Sequence, residues 1–138
     1  MKMLLATLTL WLSANFDLPQ PHQQPKLELV SAQELIAKAS NGSSQNAPSE
    51  IEAIYDPRTK TIFLSDRWSG NTPADLSIIV HELVHHLQHE GDLKYACNAA
   101  REEIAYAAQE KWLGLFGQSL STAFGMDPMT LKLKSMCL

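Results

Sequence analysis

The chain has 138 residues, of which 45% are hydrophobic and 19% are charged. This length and apolar content suffice for one compact domain and not for two. The formal net charge is −4 at pH 7, and the sequence contains no basic run interleaved with aromatic residues. These features argue against a nucleic-acid-binding protein. We also expect a monomer with no membrane partner in its mature form.

The N-terminal residues 1–14 carry one early positive charge, an apolar run too short to span a bilayer, and small residues after it. This pattern predicts a secretory signal peptide, with an uncleaved anchor as the alternative. Cleavage is expected near Ala14, although Leu12 is not the small residue that a signal peptidase usually prefers. Residues 15–26 are rich in Pro and Gln and predict a flexible lead-in without core-forming residues. The mature domain is therefore expected over residues 27–138.

Residues 27–30 form a short apolar run, and a capping box with Ser31 and Glu34 follows. The box predicts a helix that ends at about Ser40. Residues 41–49 have the composition of a polar loop.

Two short apolar segments, residues 51–55 and 61–64, flank the sequence Asp56-Pro57-Arg58-Thr59-Lys60. This arrangement predicts a β-hairpin with a turn of about five residues. A small antiparallel β-sheet is therefore expected before the central motif of the chain.

That motif is His81-Glu82-Leu83-Val84-His85, which has the pattern H-E-x-x-H. Helical positions four apart differ by about 40° in direction, so the two imidazoles project from one face and can hold a zinc ion. Glu82 lies about 100° from His81, in the position of a general base acting on a water at the open metal position. The alternative is a chance match, expected in roughly one chain of this length in several hundred.

Helix signals surround the motif. Thr72-Pro73-Ala74-Asp75 is a capping box with proline at the first helical position, and Gly91 is a stop signal. Together they predict a helix of roughly 18 residues. The polar residues of the motif lie on one side with His89, opposite an apolar side made of Leu76, Ile79, Val80, Leu83, Val84 and Leu87.

A second helix is predicted from about Lys94 to Leu113, and it must provide the third ligand. Glu102 shares one face of this helix with Tyr106, within about 60°, whereas Glu103 lies about 100° away. Glu102 is the favoured ligand, and Glu103 is the alternative.

The chain contains two cysteines, Cys97 before the second helix and Cys137 next to the last residue. In an exported protein we expect a disulfide between them that fixes the C-terminal tail to the second helix. Such a bond would stabilise the fold by roughly 3 to 4 kcal/mol in the chain-entropy model. Two free thiols are the alternative. Asp127 is expected to cap a last short helix that starts at Pro128.

The H-E-x-x-H motif together with Glu102-Glu103-Ile104-Ala105 resembles the gluzincin zinc metallopeptidases, in which a glutamate on a following helix is the third ligand. Ala105 matches the alanine often found three residues after that glutamate. A closer resemblance is to small exported bacterial proteins of unknown function that read H-E-L-V-H-H-L-Q, then a cysteine, then R-E-x-x-A-Y-x-x-Q-x-x-W-L. It covers about half of the mature chain, through His81 to Gln88, Cys97, Arg101, Glu102, Ala105, Tyr106, Gln109, Trp112 and Leu113.

The resemblance implies an α+β, zincin-like fold, with a small antiparallel β-sheet followed by an H-E-x-x-H helix and a glutamate-bearing helix. It implies one catalytic Zn²⁺ bound by His81, His85 and Glu102. A zinc-activated water would hydrolyse the peptide bond with Glu82 as general base. Localisation would be secreted or periplasmic, in the bacterial cell envelope.

A peptidase also needs a group that stabilises the oxyanion, and the motif does not supply one. Tyr106 lies one turn beyond Glu102 on the same helix face and is the favoured candidate. A half-buried packing role for Tyr106 is the alternative. His86 and His89 are further candidates, although a flanking contact and a solvent-exposed position are the more ordinary interpretations.

The sequence thus predicts a zinc metallopeptidase that takes an extended peptide or protein substrate along the edge of its sheet. One alternative is a catalytically silent zinc-containing binding or regulatory module with a gluzincin core. Another is a latent enzyme whose site is covered by its own N-terminal segment or tail.

Overall fold

The computed structural model describes residues 1–40 and 52–138. The predicted polar loop over residues 41–49, and residue 51 at the start of the predicted hairpin, lie outside the described residues. Within the described ranges the fold is α+β, with six helices and a three-stranded sheet. The elements are α1 (Lys2–Phe16), β1 (Lys26–Val30), α2 (Ala32–Ser40), β2 (Ala53–Asp56), β3 (Thr61–Ser65), α3 (Pro73–Glu90), α4 (Asn98–Gly114), α5 (Leu120–Phe124) and α6 (Pro128–Ser135).

The sheet has the strand order β1-β3-β2, so β3 is central. β2 and β3 pair antiparallel, with Ala53 opposite Leu64, which confirms the predicted hairpin. β1 pairs with β3 in parallel, with Lys26 opposite Thr61, so the prediction of an antiparallel sheet was wrong for this pair. The reason is that the second arm of the hairpin, and not the first, lies beside β1. The sheet is therefore mixed.

Helix α3 begins as its sequence signals predict. The hydroxyl of Thr72 accepts a hydrogen bond from the backbone N–H of Asp75 at 3.0 Å, and Pro73 occupies the first helical position. The carboxylate of Asp75 in turn accepts from the backbone N–H groups of Ser69 and Gly70, each at 3.0 Å. These bonds fix the direction in which the chain enters the helix.

Helix α3 ends at Glu90, but the stop works differently from the sequence expectation. Gly91 has a φ of −84°, and the left-handed residue is Asp92, with a φ of 51°. Glycine is needed at position 91 because a Cβ built there would collide with Cγ of Pro19. The absence of a side chain lets the N-terminal segment cross the end of α3.

Helix α4 begins at Asn98, later than the predicted start near Lys94. The turn after α3 and the extended backbone of Cys97, with φ −160° and ψ 171°, delay the start. Cys97 is disulfide-bonded to Cys137, as predicted. Helix α6 also begins as predicted, since the Asp127 carboxylate accepts from the backbone N–H of Thr130 at 2.7 Å. The disulfide therefore joins the start of α4 to the segment that follows α6.

The core lies between the sheet, α3, α4 and α1. Five of the predicted apolar residues of α3 have an exposed fraction of 0%, namely Ile79, Val80, Leu83, Val84 and Leu87. Leu76 is only partly buried. This face of α3 packs inward, so the opposite face is directed toward the cleft described below.

Helix α1 is part of this core in the full chain. Leu5, Leu8 and Leu12 are buried in the main hydrophobic cluster, and Trp11 packs edge-to-face on Trp112 with ring centroids 5.5 Å apart. Leu18 is buried as well, which corrects the expectation that residues 15–26 contain no core-forming residue. Among the described helices, none combines the length and apolar character needed to cross a bilayer.

Candidate metal centre

Three potential ligand atoms converge where α3 and α4 pack together. Oε1 of Glu102 lies 2.9 Å from Nε2 of His81 and 3.2 Å from Nε2 of His85. Helix α3 supplies both imidazoles from one face, one turn apart, and α4 supplies the carboxylate. In the part of the chain that the structure describes, these three residues form the one group of His, Cys, Asp and Glu side chains with ligand spacing.

The spacing of these atoms suits a four-coordinate metal. Zinc bonds to nitrogen and oxygen of about 2.0 to 2.2 Å place tetrahedral ligand atoms about 3.3 Å apart. The distances from the Glu102 oxygen to the two imidazole nitrogens are close to this value. Two imidazoles and one carboxylate are also a donor set used by catalytic zinc, and they leave one position open. The residues present therefore fit a zinc ion.

Both imidazoles are held from behind by glutamine side chains. Nδ1 of His81 lies 3.0 Å from Oε1 of Gln109, and Nδ1 of His85 lies 2.9 Å from Oε1 of Gln88. An amide oxygen only accepts, so each Nδ1 carries a proton and donates it. The Nε2 atoms are thereby left to face the cluster, which is the tautomer that a metal ligand requires.

The orientation of both amides follows from their other hydrogen bonds. The amide nitrogen of Gln88 donates to the backbone carbonyl of Arg101 at 3.1 Å. The amide nitrogen of Gln109 donates at 3.1 Å to the hydroxyl oxygen of Ser77. The Ser77 hydroxyl itself donates to the backbone carbonyl of Ala74, so it can only accept from Gln109. Neither amide can be reversed without losing these bonds, so the oxygens must face the histidines.

The two glutamines were not identified as functional residues from the sequence. Gln88 and Gln109 are nearly or fully buried, with exposed fractions of 0% and 6%. A lone glutamine in a buried helix face needs a partner. The signal available was that Gln88 lies three residues after His85 and that Gln109 shares the helix face of Glu102.

The charged groups of the cluster shift one another's pKa values. Burial alone would raise the pKa of Glu102, but hydrogen bonds from His81 and His85 hold that pKa far below its usual range. Burial alone would lower the pKa of His85, but its bond to Glu102 and the charges of Glu102 and Glu82 raise it to about 9. A proton on His85 therefore offsets the charge of the Glu102 carboxylate.

Glu82 lines the cleft beside the cluster and is 9% exposed. Burial raises the pKa of its carboxyl, and the neighbouring charges of His81 and His85 only partly oppose this effect. A carboxylate with a raised pKa is a better proton acceptor near neutral pH than an ordinary surface glutamate. The position and environment of Glu82 therefore suit a general base.

Tyr106 also lies at the cleft. Its ring packs edge-to-face on the ring of His81, with centroids 4.5 Å apart. Burial, together with the charges of Glu102 and Glu82, raises the pKa of its phenol, so the hydroxyl keeps its proton. Within the described residues this hydroxyl has no hydrogen-bond partner. It is therefore free to donate to a ligand in the cleft.

Three other sequence candidates lie outside the cluster of His81, His85 and Glu102. His86 is fully buried, and its Nε2 donates to the carbonyl of Gln23 while its Nδ1 accepts from the hydroxyl of Tyr55, both at 2.8 Å. These bonds point it away from the cleft. His89 is exposed and lines the cleft. Glu103 is exposed and borders a separate pocket formed with α5 and α6, so the structure does not bring it to the two histidines.

The cleft has a volume of about 790 Å³. Strand β2, one of the two edge strands of the described sheet, and the hairpin turn after it form part of its wall, and the rest comes from α3, α4 and α6. Its lining residues are Ala53, Ile54, Tyr55, Pro57, His81, Glu82, His85, His89, Asn98, Arg101, Glu102, Tyr106 and Lys134.

The fold and site define an α+β protein with a cluster of two histidines and one glutamate between successive helices. Over residues 1–137 the sequence matches the family described as "Domain of unknown function (DUF6647)", and the chain belongs to that family. The match includes α1 as well as both cysteines. Searches among curated proteins and among solved structures gave no significant match.

Proposed function

We propose that this protein is an exported zinc-dependent metallopeptidase of the gluzincin type. His81, His85 and Glu102 would hold one Zn²⁺, and Glu82 would be the general base. The observation that supports this most is the convergence of the Glu102 oxygen on both motif imidazoles, at 2.9 and 3.2 Å. A sequence motif alone does not require a glutamate from another helix to arrive at ligand distance.

The bound zinc would supply a Lewis acid that polarises the scissile carbonyl and lowers the pKa of the attacking water. Glu82 accepts a proton from that water and passes it to the leaving amine, a role that its raised pKa favours. The hydroxyl of Tyr106 donates a hydrogen bond to the oxygen that becomes negative and keeps its proton. Gln88 and Gln109 keep the imidazoles in place throughout.

The substrate would be an extended peptide or protein segment bound along β2. Among residues 1–40 and 52–138 this strand pairs only with β3, and Ala53, Ile54 and Tyr55 line the cleft. An edge strand offers backbone donors and acceptors to an added strand. Tyr55 is fixed by its 2.8 Å hydrogen bond to buried His86, so the edge is positioned relative to α3 before substrate binds.

Two features support an exported location, secreted or periplasmic. The first is the signal-peptide pattern of residues 1–14. The second is the disulfide between Cys97 and Cys137, since such bonds form and persist in oxidising compartments.

The proposal is tested with the purified full chain loaded with zinc and incubated with a diverse peptide library. Cleavage is read by mass spectrometry, and metal content by elemental analysis. We expect cleavage by the parent protein and by Glu103→Gln, no cleavage by Glu82→Gln, and loss of zinc in Glu102→Gln. Glu103→Gln is a matched control, because it makes the same change at an exposed neighbouring position.

Two results would overturn the proposal in different ways. Stoichiometric zinc with no Glu82-dependent cleavage would indicate the alternative, a catalytically silent zinc-containing module. Absence of zinc binding would overturn both the peptidase proposal and the alternative of a silent zinc-containing module. In the described residues α1 does not line the cleft and α6 contributes only Lys134, which favours an open site over one covered by either helix.

A further inference from the structure

Two positively charged side chains line the cleft beside the cluster. Arg101 comes from the first turn of α4, next to Glu102, and Lys134 comes from the last turn of α6. Among the described residues neither one forms an ion pair, and the salt bridges present involve other lysines and arginines. Both cations are therefore available to a ligand in the cleft.

The balance of charge in the cleft makes these cations significant. Its two carboxylates belong to Glu82 and Glu102, and one divalent ion would offset both. Arg101 and Lys134 would then remain uncompensated, and the cleft would carry a net positive charge. The whole chain is acidic, with a formal charge of −4, so this is a local feature and not a general basic character. A cleft of this kind attracts anionic groups and repels cationic ones.

Arg101 is oriented before any ligand arrives. Its guanidinium lies over the ring of Tyr95, with Cζ 5.2 Å from the ring centroid, and the residue is partly buried. A planar guanidinium held in this way can bind a carboxylate through two parallel hydrogen bonds with little further loss of side-chain freedom.

The disulfide connects the chain segment of Lys134 to that of Arg101. Cys97 directly precedes α4, one turn before Arg101, and Cys137 lies three residues after Lys134. The covalent bond therefore joins the two segments that carry the cations. It limits how far the short helix α6 can move from the mouth of the cleft.

We propose that Arg101 and Lys134 select substrates with a carboxylate close to the scissile bond. The carboxylate comes either from an Asp or Glu side chain or from a free C-terminus. This inference rests on the proposed peptidase function and specifies its substrate class. Arg101 binds the carboxylate in a directed, bidentate manner, and Lys134 adds a less directional charge.

The experiment compares peptides that differ by one group. Glu is replaced by the uncharged Gln at each position around a cleavage site, and each peptide is made with a free or an amidated C-terminus. We expect kcat/KM to be at least about tenfold higher for one of the carboxylate forms. The position that shows the preference identifies the source of the carboxylate.

The variants Arg101→Gln and Lys134→Gln should each bring the Glu-to-Gln rate ratio toward one. Lys132→Gln is the matched control, because it removes the same charge from α6 at an exposed position that borders the separate pocket and not the cleft. It should keep the parental ratio. Lys134→Glu should favour peptides with Lys at the position where the parent favours Glu.

The outcomes separate this inference from the proposed function. Glu82-dependent cleavage at equal rates for acid and amide peptides would overturn the inference and leave the peptidase intact. If no peptide is cleaved, the same peptides carrying a fluorescent label are titrated into the zinc-loaded protein. Equal affinities for the acid and amide forms in that titration would also overturn it.

Discussion

At the scale of single residues, the charges of His85 and Glu102 offset each other within the cluster. Glu102 accepts from both imidazoles, and this contact raises the pKa of His85 to about 9. A metal bound by Nε2 of His85 must displace the proton on that nitrogen, because metal ligands bind through unprotonated nitrogen. The hydrogen bonds from Nδ1 of His85 to Gln88 and from Nδ1 of His81 to Gln109 do not involve the Nε2 atoms. The glutamines can therefore orient the two rings before and after a metal binds.

We expect replacement of Gln109 by Leu to weaken zinc binding about 10- to 100-fold, because His81 loses the acceptor that fixes its ring. Gln109→Glu keeps an acceptor for Nδ1 and should bind zinc nearly as well as the parent. Gln118→Leu, beyond the end of α4, is the control. Affinity is measured by competition with a chromophoric chelator. If the Leu and Glu variants lose affinity equally, Gln109 acts through general packing and not through its oxygen.

The choice of Glu102 as the candidate third ligand shows how much can be predicted at the scale of single residues. The helical wheel separated Glu102 from Glu103, because both lie on one regular helix and the angle between them is fixed. The partners of the imidazoles could not be found in the same way. Gln88 contacts its histidine within one helix, but Gln109 meets His81 only because α3 and α4 pack together.

At the scale of elements, local signals predicted starts and turns well. The caps at Thr72 and Asp127 and the hairpin turn depend on neighbouring residues, so they can be read from a short stretch of sequence. The parallel pairing of β1 with β3 depends on which arm of the hairpin packs inward. The start of α4 depends on the loop that leads to Cys97. Both are consequences of packing, and no local pattern encodes them.

The hydrogen bonds of Asp75 at the N-terminus of α3 lead to a prediction about how stability depends on pH. Burial would raise the pKa of Asp75, but hydrogen bonds from the side chain and backbone of Ser69 and from the backbone of Gly70 lower it. A carboxyl whose pKa is depressed by folding stabilises the protein above its unfolded pKa, and this contribution is lost as pH falls through the folded value. Asp75→Asn should therefore cost about 1 kcal/mol of unfolding free energy at pH 7.

The cost of Asp75→Asn should shrink when the pH is lowered below the ordinary aspartate value of 3.8. Urea unfolding at pH 7 and at pH 3 measures the difference. Asp66→Asn, at an exposed position without a side-chain hydrogen bond in the described residues, is the control and should change little at either pH. A cost for Asp75→Asn that is equal at both pH values would contradict the role given to its charge.

At the scale of the whole molecule, α1 and the cleft lie on different sides of α3 and α4. Leu5, Leu8 and Leu12 fill the core behind the two helices, while His81, His85 and Glu102 line the cleft. The support that keeps α3 against α4 therefore includes a segment whose sequence predicts a signal peptide. These two roles have different consequences for the composition of the mature protein.

If α1 remains in the active protein, Leu8→Ala should lower its unfolding free energy by about 2 to 5 kcal/mol, because the side chain is 1% exposed and its removal leaves a cavity. Leu10→Ala makes the same change on the same helix at a position that is 63% exposed, and it should cost less than about 0.5 kcal/mol. Both variants are compared by chemical unfolding of the full chain, and N-terminal sequencing of the exported protein shows whether α1 is retained. Equal stability of the two variants would mean that α1 does not pack on α3 and α4. A mature N-terminus after α1, combined with a large cost for Leu8→Ala in the full chain, would mean that export removes a helix that the precursor uses to hold α3 and α4 together.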